Sequence, residues 1–123
     1  MCTTGKYLVY NQTYTIIITV DSYGPTEATI LMTVSHVKPD TNLNSIGFPM
    51  KHVTAVILPQ EGGNLKPVEK GAVGELCVLG PQLAKGYINR PEQTSASFIH
   101  GIDGDRLYRT GDLARWAPDG SIE

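Results

Sequence analysis

The sequence predicts a mostly β domain built from short elements, and three observations carry that expectation. Thirteen glycines and eight prolines among 123 residues break the backbone too often for long helices, since each residue type redirects or interrupts regular structure. Between these breaks recur short runs rich in β-branched and apolar residues, at 14–20, 28–34, 53–58 and 74–79, which is how strands read. Only 91–98 has the composition of a helix. With 41% hydrophobic and 18% charged residues, the chain can fill the core of one small domain or of part of a larger one.

Taken in order, residues 1–13 read as a divergent leader. Thr3-Thr4-Gly5-Lys6 is not a phosphate loop: the first glycine is absent and Tyr7 stands where Ser or Thr belongs. Residues 14–20 predict a strand, Ser22-Tyr23-Gly24-Pro25-Thr26-Glu27 a rigid crossing, and 28–34 a second strand. Both strands are apolar on both faces, which suits a buried position. Residues 38–42 form a turn-rich loop, 53–58 a strand and 59–64 a further loop. In 74–79, Glu75, Cys77 and Leu79 alternate with Leu76 and Val78. The helix at 91–98 has proline in its first turn and Asn89 as its cap. Residues 107–116 return to extended chain, and Ala117-Pro118-Asp119-Gly120 signals a hairpin. Only Ser121-Ile122-Glu123 follow, fewer than the roughly five residues of an ordinary strand. Ile122 is therefore expected to lack a strand to sit in.

Composition also excludes. A net charge of −2, a pI of about 5.9 and no basic stripe argue against nucleic acid as a partner. No apolar run is long enough to span a membrane, and no secretory signal opens the chain. A cytoplasmic location follows, with Cys2 and Cys77 as reduced thiols outside any metal spacing. His36, His52 and His100 also lack ligand spacing, and Trp116 reads as packing.

Three stretches stand out by their order: YGPTE at 23–27, GELCVLGPQLAKGY at 74–87 and YRTGDL at 108–113. Together they resemble the core motifs of adenylate-forming enzymes, and their wording is most similar to the amino-acid adenylation domains of nonribosomal peptide synthetases. The resemblance runs from about Val20 to Glu123. It implies an α/β parent fold, of which residues 14–123 are a partial AMP-binding domain truncated at both ends. That part is mostly β: the late portion of the large N-terminal domain, with a distorted β-barrel subdomain.

The resemblance implies ATP and Mg2+ as cofactors, and the residue chemistry agrees. Tyr23 offers adenine an aromatic face on a fixed turn. Asp112 can accept both ribose hydroxyls, Thr26 can donate to a phosphate oxygen, and Glu27 supplies the hard carboxylate that magnesium takes. By the same resemblance Ser22, Ile30 and Leu31 correspond to the substrate pocket, which hints at an amino acid with an uncharged side chain. The motif at 74–87 reads as architectural, and Lys85 and Arg109 as surface or supporting charges. The acyl group would pass to the phosphopantetheine thiol of a carrier domain, with carrier and condensation domains as partners in the parent chain. Lacking the upstream phosphate loop and the mobile C-terminal domain of that family, the isolated chain is expected to show no turnover. A fragment of an acyl-CoA ligase and a non-catalytic β-rich interaction module are the alternatives. The YGPTE and LAKGY wording speaks against the first.

Overall fold

Strand-forming runs separated by tight turns give two antiparallel four-stranded sheets. The computed structural model describes residues 2–11, 14–60, 65–101 and 103–123, with side chains from Thr19 onward. The first sheet holds β1 (Cys2–Asn11), β2 (Tyr14–Tyr23), β3 (Thr33–His36) and β4 (Phe48–Pro49) in sequential order. β1 and β2 pair along their whole length, from Cys2 opposite Tyr23 to Asn11 opposite Tyr14. The second sheet holds β5 (Thr54–Leu58), β6 (Gly74–Leu79), β7 (Phe98–His100) and β8 (Arg106–Ala114) in the order β5-β6-β8-β7. Neither sheet closes on itself among the described residues. One short helix, α1 (Pro91–Ser97), leads into β7.

The core is where the two sheets meet. Tyr23, Ala28 and Met32 come from the end of the first sheet and pack with Ile57, Leu76, Val78, Ala114 and Ile122. Because successive side chains of a strand point to opposite faces, Leu76 and Val78 of β6 enter this core. Cys77 joins Leu58 and Leu107 in a second cluster. Covered on both faces, β6 is buried from Gly74 to Val78. Burial pushes the Cys77 thiol up to about 12, and the neighbouring Glu75 carboxylate adds to the rise while Arg109 opposes it.

Three expectations from the sequence need correction. The run 28–34 is not a strand. A 3-10 turn covers Thr26–Ala28, Thr29 and Ile30 have φ of 59° and 71°, and strand geometry resumes only at Thr33. The cause is local. The Pro25 carbonyl accepts the N–H groups of both Ala28 and Ile30, at 3.1 Å each, which curls the chain against its β propensity. Secondly, the N-cap of α1 is Arg90 rather than Asn89, with no side-chain capping bond. Asn89 instead takes the left-handed conformation, at φ 55°. Thirdly, Ile122 does have a seat. The turn closes with the Ala117 N–H on the Ser121 carbonyl at 2.9 Å, and Ile122 bridges Trp116 on one side and Gly47 on the other. It is wholly buried.

Other expectations hold. His36, His52 and His100 are exposed, Trp116 packs against the core, and the strands at β2, β5, β6 and β8 form. Side-chain burial expected for residues 14–18 lies outside the described residues.

Candidate functional site

The crossing at 22–27 becomes a site because its backbone has little freedom. The Met32 N–H donates to the Tyr23 carbonyl at 2.9 Å, folding the chain back on itself. Gly24 lies under this fold: a Cβ there would stand 2.2 Å from the Ile30 carbonyl oxygen, so no other residue fits without moving backbone. Three bonds then tie the turn to the segment before α1. The Ala84 N–H donates to the Glu27 carbonyl at 2.7 Å. The Thr29 hydroxyl donates to the Gln82 carbonyl at 2.6 Å, and the Tyr87 hydroxyl donates to Glu27 Oε1 at 2.8 Å.

The second half of the site is a bulge in β8. Glu75 of β6 faces Leu113 while Cys77 faces Arg109, so two steps along β6 match four along β8. The surplus, centred on Thr110, Gly111 and Asp112, loops out of the ladder, as bulges do where a side chain must be re-aimed. Gly111 takes φ 80° to make the loop. The groups that the ladder no longer serves find other partners. The Thr110 hydroxyl donates to the Leu76 carbonyl at 2.8 Å and accepts the Asp112 N–H at 3.1 Å. Glu75 Oε1 accepts the Gly111 N–H at 3.1 Å, and Oε2 accepts Arg109 Nε at 2.8 Å together with Arg109 Nη2. A buried carboxylate thus braces the bulge from behind, and its hydrogen bonds, more than its charge, raise the Arg109 pKa.

The Tyr23 hydroxyl donates to Asp112 Oδ2 and so joins the two halves. Tyr23 is buried while Asp112 is exposed, so the phenol anchors the carboxylate from inside and leaves it open to solvent. Between the halves lies Tyr108. Its pKa is driven up by burial first, then by the neighbouring Tyr87 hydroxyl and the charge of Glu27, with Tyr23 adding to the rise.

Of the residues expected from sequence, the structure brings Tyr23 and Asp112 into direct contact and sets Glu27 half-buried beside Tyr87 and Tyr108. Thr26 is exposed at the start of the 3-10 turn. Ser22 lies in β2 opposite Val34. Ile30 and Leu31 are exposed, at 69% and 37%, Ile30 at positive φ and neither on a strand. A groove of about 600 Å3 runs between Ser35, His36, Lys38, Asn42 and Asp119 and contains none of them. Arg109 is a supporting charge, as expected, and Lys85 is exposed. Sequence reasoning missed Glu75 and Tyr87. The signal available was Glu75 itself, a carboxylate set in an otherwise apolar strand with an arginine elsewhere to match it. Tyr87 gave no such signal.

Among the described residues no three His, Cys, Asp or Glu converge as a metal cage. A lone carboxylate still fits Mg2+, which takes one or two carboxylates and fills its shell with phosphate oxygens and water. Glu27 suits that role. Oε1 is held by Tyr87, and among the described residues Oε2 accepts no hydrogen bond.

Two braced turns thus present carboxylates and hydroxyls at one edge of an antiparallel framework. The chain belongs to the AMP-binding enzyme family, whose pattern matches residues 9–88. It is 51% identical over 105 residues to nonribosomal peptide synthetase sidE of Aspergillus fumigatus, across 84% of this chain and 5% of that protein. With bacitracin synthase 3 of Bacillus licheniformis it shares 48% identity over 106 residues, 85% of this chain and 2% of that one. The chain therefore spans a small fraction of the length of these relatives. Among solved structures it matches the nonribosomal peptide synthetase FmoA3 in its α-methyl-L-serine-AMP-bound form. The TM-score is 0.75 and the identity 36%, over 85% of this chain and 12% of that chain.

Proposed function

We propose that this chain is the part of an amino-acid adenylation domain that carries the nucleotide-facing turns of a nonribosomal peptide synthetase. The observation that supports this best is the Tyr23–Asp112 bond, which joins the turn of the first sheet to the bulge of the second and fixes a carboxylate at an exposed edge. In this reading Asp112 accepts the ribose hydroxyls, the Tyr23 ring borders the adenine, Thr26 donates to a phosphate oxygen, and Glu27 holds the cation. Ser22, Ile30 and Leu31 border the amino-acid pocket. The braced second sheet is the portion that belongs to the distorted β-barrel of the complete domain. The α/β layers of the parent fold lie in the rest of that domain.

The chemistry is attack of the substrate carboxylate on the α-phosphorus of ATP, with pyrophosphate leaving and the aminoacyl-AMP remaining. Mg2+, when bound, draws charge from the phosphate oxygens. This chain's residues position groups: the anchored Asp112 and the tethered Glu27 arrive already oriented, so little freedom is lost when nucleotide binds. The acyl group then moves to phosphopantetheine on a carrier domain, with a condensation domain as the next partner, in the cytoplasm. Among the described residues no helix is long and apolar enough to cross a membrane. The acyl-CoA ligase and interaction-module readings have no relative among those described above to favour them.

The test uses the full-length protein that carries this segment. Asp112→Asn should weaken ATP binding by the loss of charge-assisted bonds, about 1.5–3 kcal/mol, or roughly tenfold or more in Kd. It should weaken a 2′,3′-dideoxy analogue far less. Equal, wild-type affinity for both nucleotides would refute the ribose assignment. Absence of any amino-acid-dependent ATP–pyrophosphate exchange in the wild-type protein would refute the activity.

A further inference from the structure

We propose that Tyr87 is a positioning residue for the Glu27 carboxylate, occupying Oε1 so that Oε2 is the oxygen left for a divalent cation. This rests on the reading of Glu27 as the cation-binding carboxylate. The geometry favours it because Tyr87 is held more firmly than the group it touches. Its N–H donates to the Thr94 hydroxyl of α1 at 2.9 Å. Its ring meets Phe98 edge-on at 5.8 Å between centroids, and Phe98 in turn packs on Tyr108 at 5.0 Å. Arg106 caps the far side, 4.3 Å from the Phe98 centroid, and donates to the carbonyls of Ala84 and Lys85 at 2.7 and 2.9 Å. The phenol therefore arrives pre-set by aromatic packing and backbone bonds.

Glu27, by contrast, sits on a three-residue turn, with its backbone carbonyl fixed by Ala84. Without the phenol, the carboxylate would be free to rotate about its own side chain. Partners that orient a ligand in this way typically contribute 10–100-fold to metal affinity when removed. Tyr108 packs on Phe98 behind it and makes no bond to the carboxylate among those described.

Tyr87→Phe deletes one hydroxyl and keeps the ring packing. In the full-length protein, Mn2+ binding in the presence of ATP is followed by the electron paramagnetic resonance of free Mn2+. Metal-free ATP binding and the thermal midpoint are measured on the same samples. Tyr87→Phe should weaken Mn2+ binding by about 10–100-fold and leave metal-free ATP affinity unchanged. Glu27→Gln should lose Mn2+ at least as strongly, and the double variant should lose no more than Glu27→Gln alone. Tyr108→Phe, which keeps the Tyr87–Glu27 bond, should bind Mn2+ as the wild type does. If Tyr87→Phe binds Mn2+ normally while Glu27→Gln does not, the positioning role is overturned and the Glu27 reading survives. If neither variant changes Mn2+ binding, the Glu27 reading falls and the inference falls with it. If Tyr108→Phe loses as much as Tyr87→Phe, the loss does not come from the Tyr87–Glu27 bond in particular, and the inference is overturned.

Discussion

Glu75→Gln tests whether the β8 bulge is held by charge or by strand pairing alone. The carboxylate receives three donors: Arg109 Nε at 2.8 Å, Arg109 Nη2, and the Gly111 N–H at 3.1 Å. Glutamine keeps one oxygen. If that oxygen stays on Gly111, the amide nitrogen faces the guanidinium, donor against donor, and both bonds to Arg109 are lost. Two charge-assisted bonds correspond to about 3–6 kcal/mol if no compensation occurs. The Arg109 side chain is 40% exposed, however, and regains water, so the net loss should be nearer ~2–3 kcal/mol. Urea unfolding of the chain measures it as a fall in midpoint at constant slope. Hydrogen exchange at the Gly111 amide locates it. A variant that unfolds at the wild-type urea concentration, with Gly111 exchanging no faster, would show that the Thr110 hydroxyl and the ladder suffice and that the ion pair is incidental.

Gly24→Ala forces a Cβ to within 2.2 Å of the Ile30 carbonyl. It should destabilise the chain by about 1–3 kcal/mol or more, read as a lowered melting temperature, and should speed amide exchange at Met32, whose N–H closes the turn. Cys77 gives a pH signature. Its thiol is raised from 9.0 to about 12 in the folded chain, so the unfolded chain releases the proton first. The contribution is fully present below pH 9 and is lost as pH climbs toward 12, at up to about 1.4 kcal/mol per unit. Cys77→Ala should flatten that part of the stability–pH curve, despite its lower overall stability.

Much of the second sheet was legible because its physics is local. Residues 74–79 alternate, are bounded by glycines and are covered on both faces, so pattern and environment agree. Residues 28–34 misled for the opposite reason. Their β-branched composition argues for a strand, but the Pro25 carbonyl and the close approach at Gly24 decide the conformation, and neither is visible in a propensity. The motif YRTGDL marked Asp112, yet nothing in its letters announced a bulge, because a bulge is a mismatch between two strands and cannot be read from one. Glu75 and Tyr87 were passed over as scaffold for a related reason. Their partners lie 34 and 60 residues away, and a single sequence pairs residues only by proximity along the chain.

The seam at Ile122 bears on when this chain can fold. The Ile46 N–H donates to the Ile122 carbonyl at 2.8 Å, the Ile122 N–H donates to the Gly47 carbonyl at 2.9 Å, and Asn42 Nδ2 donates to Glu123 Oε1 at 2.5 Å. All three bonds close a loop of more than seventy residues, and contacts so distant in sequence form slowly. During synthesis the first sheet can pair β1 with β2 early, but its seam with the second is complete only once Ser121–Glu123 have left the ribosome. Until then Ile122 is missing from the core that Met32 and Leu76 share, and a chaperone that shields nascent chains would find its substrate there.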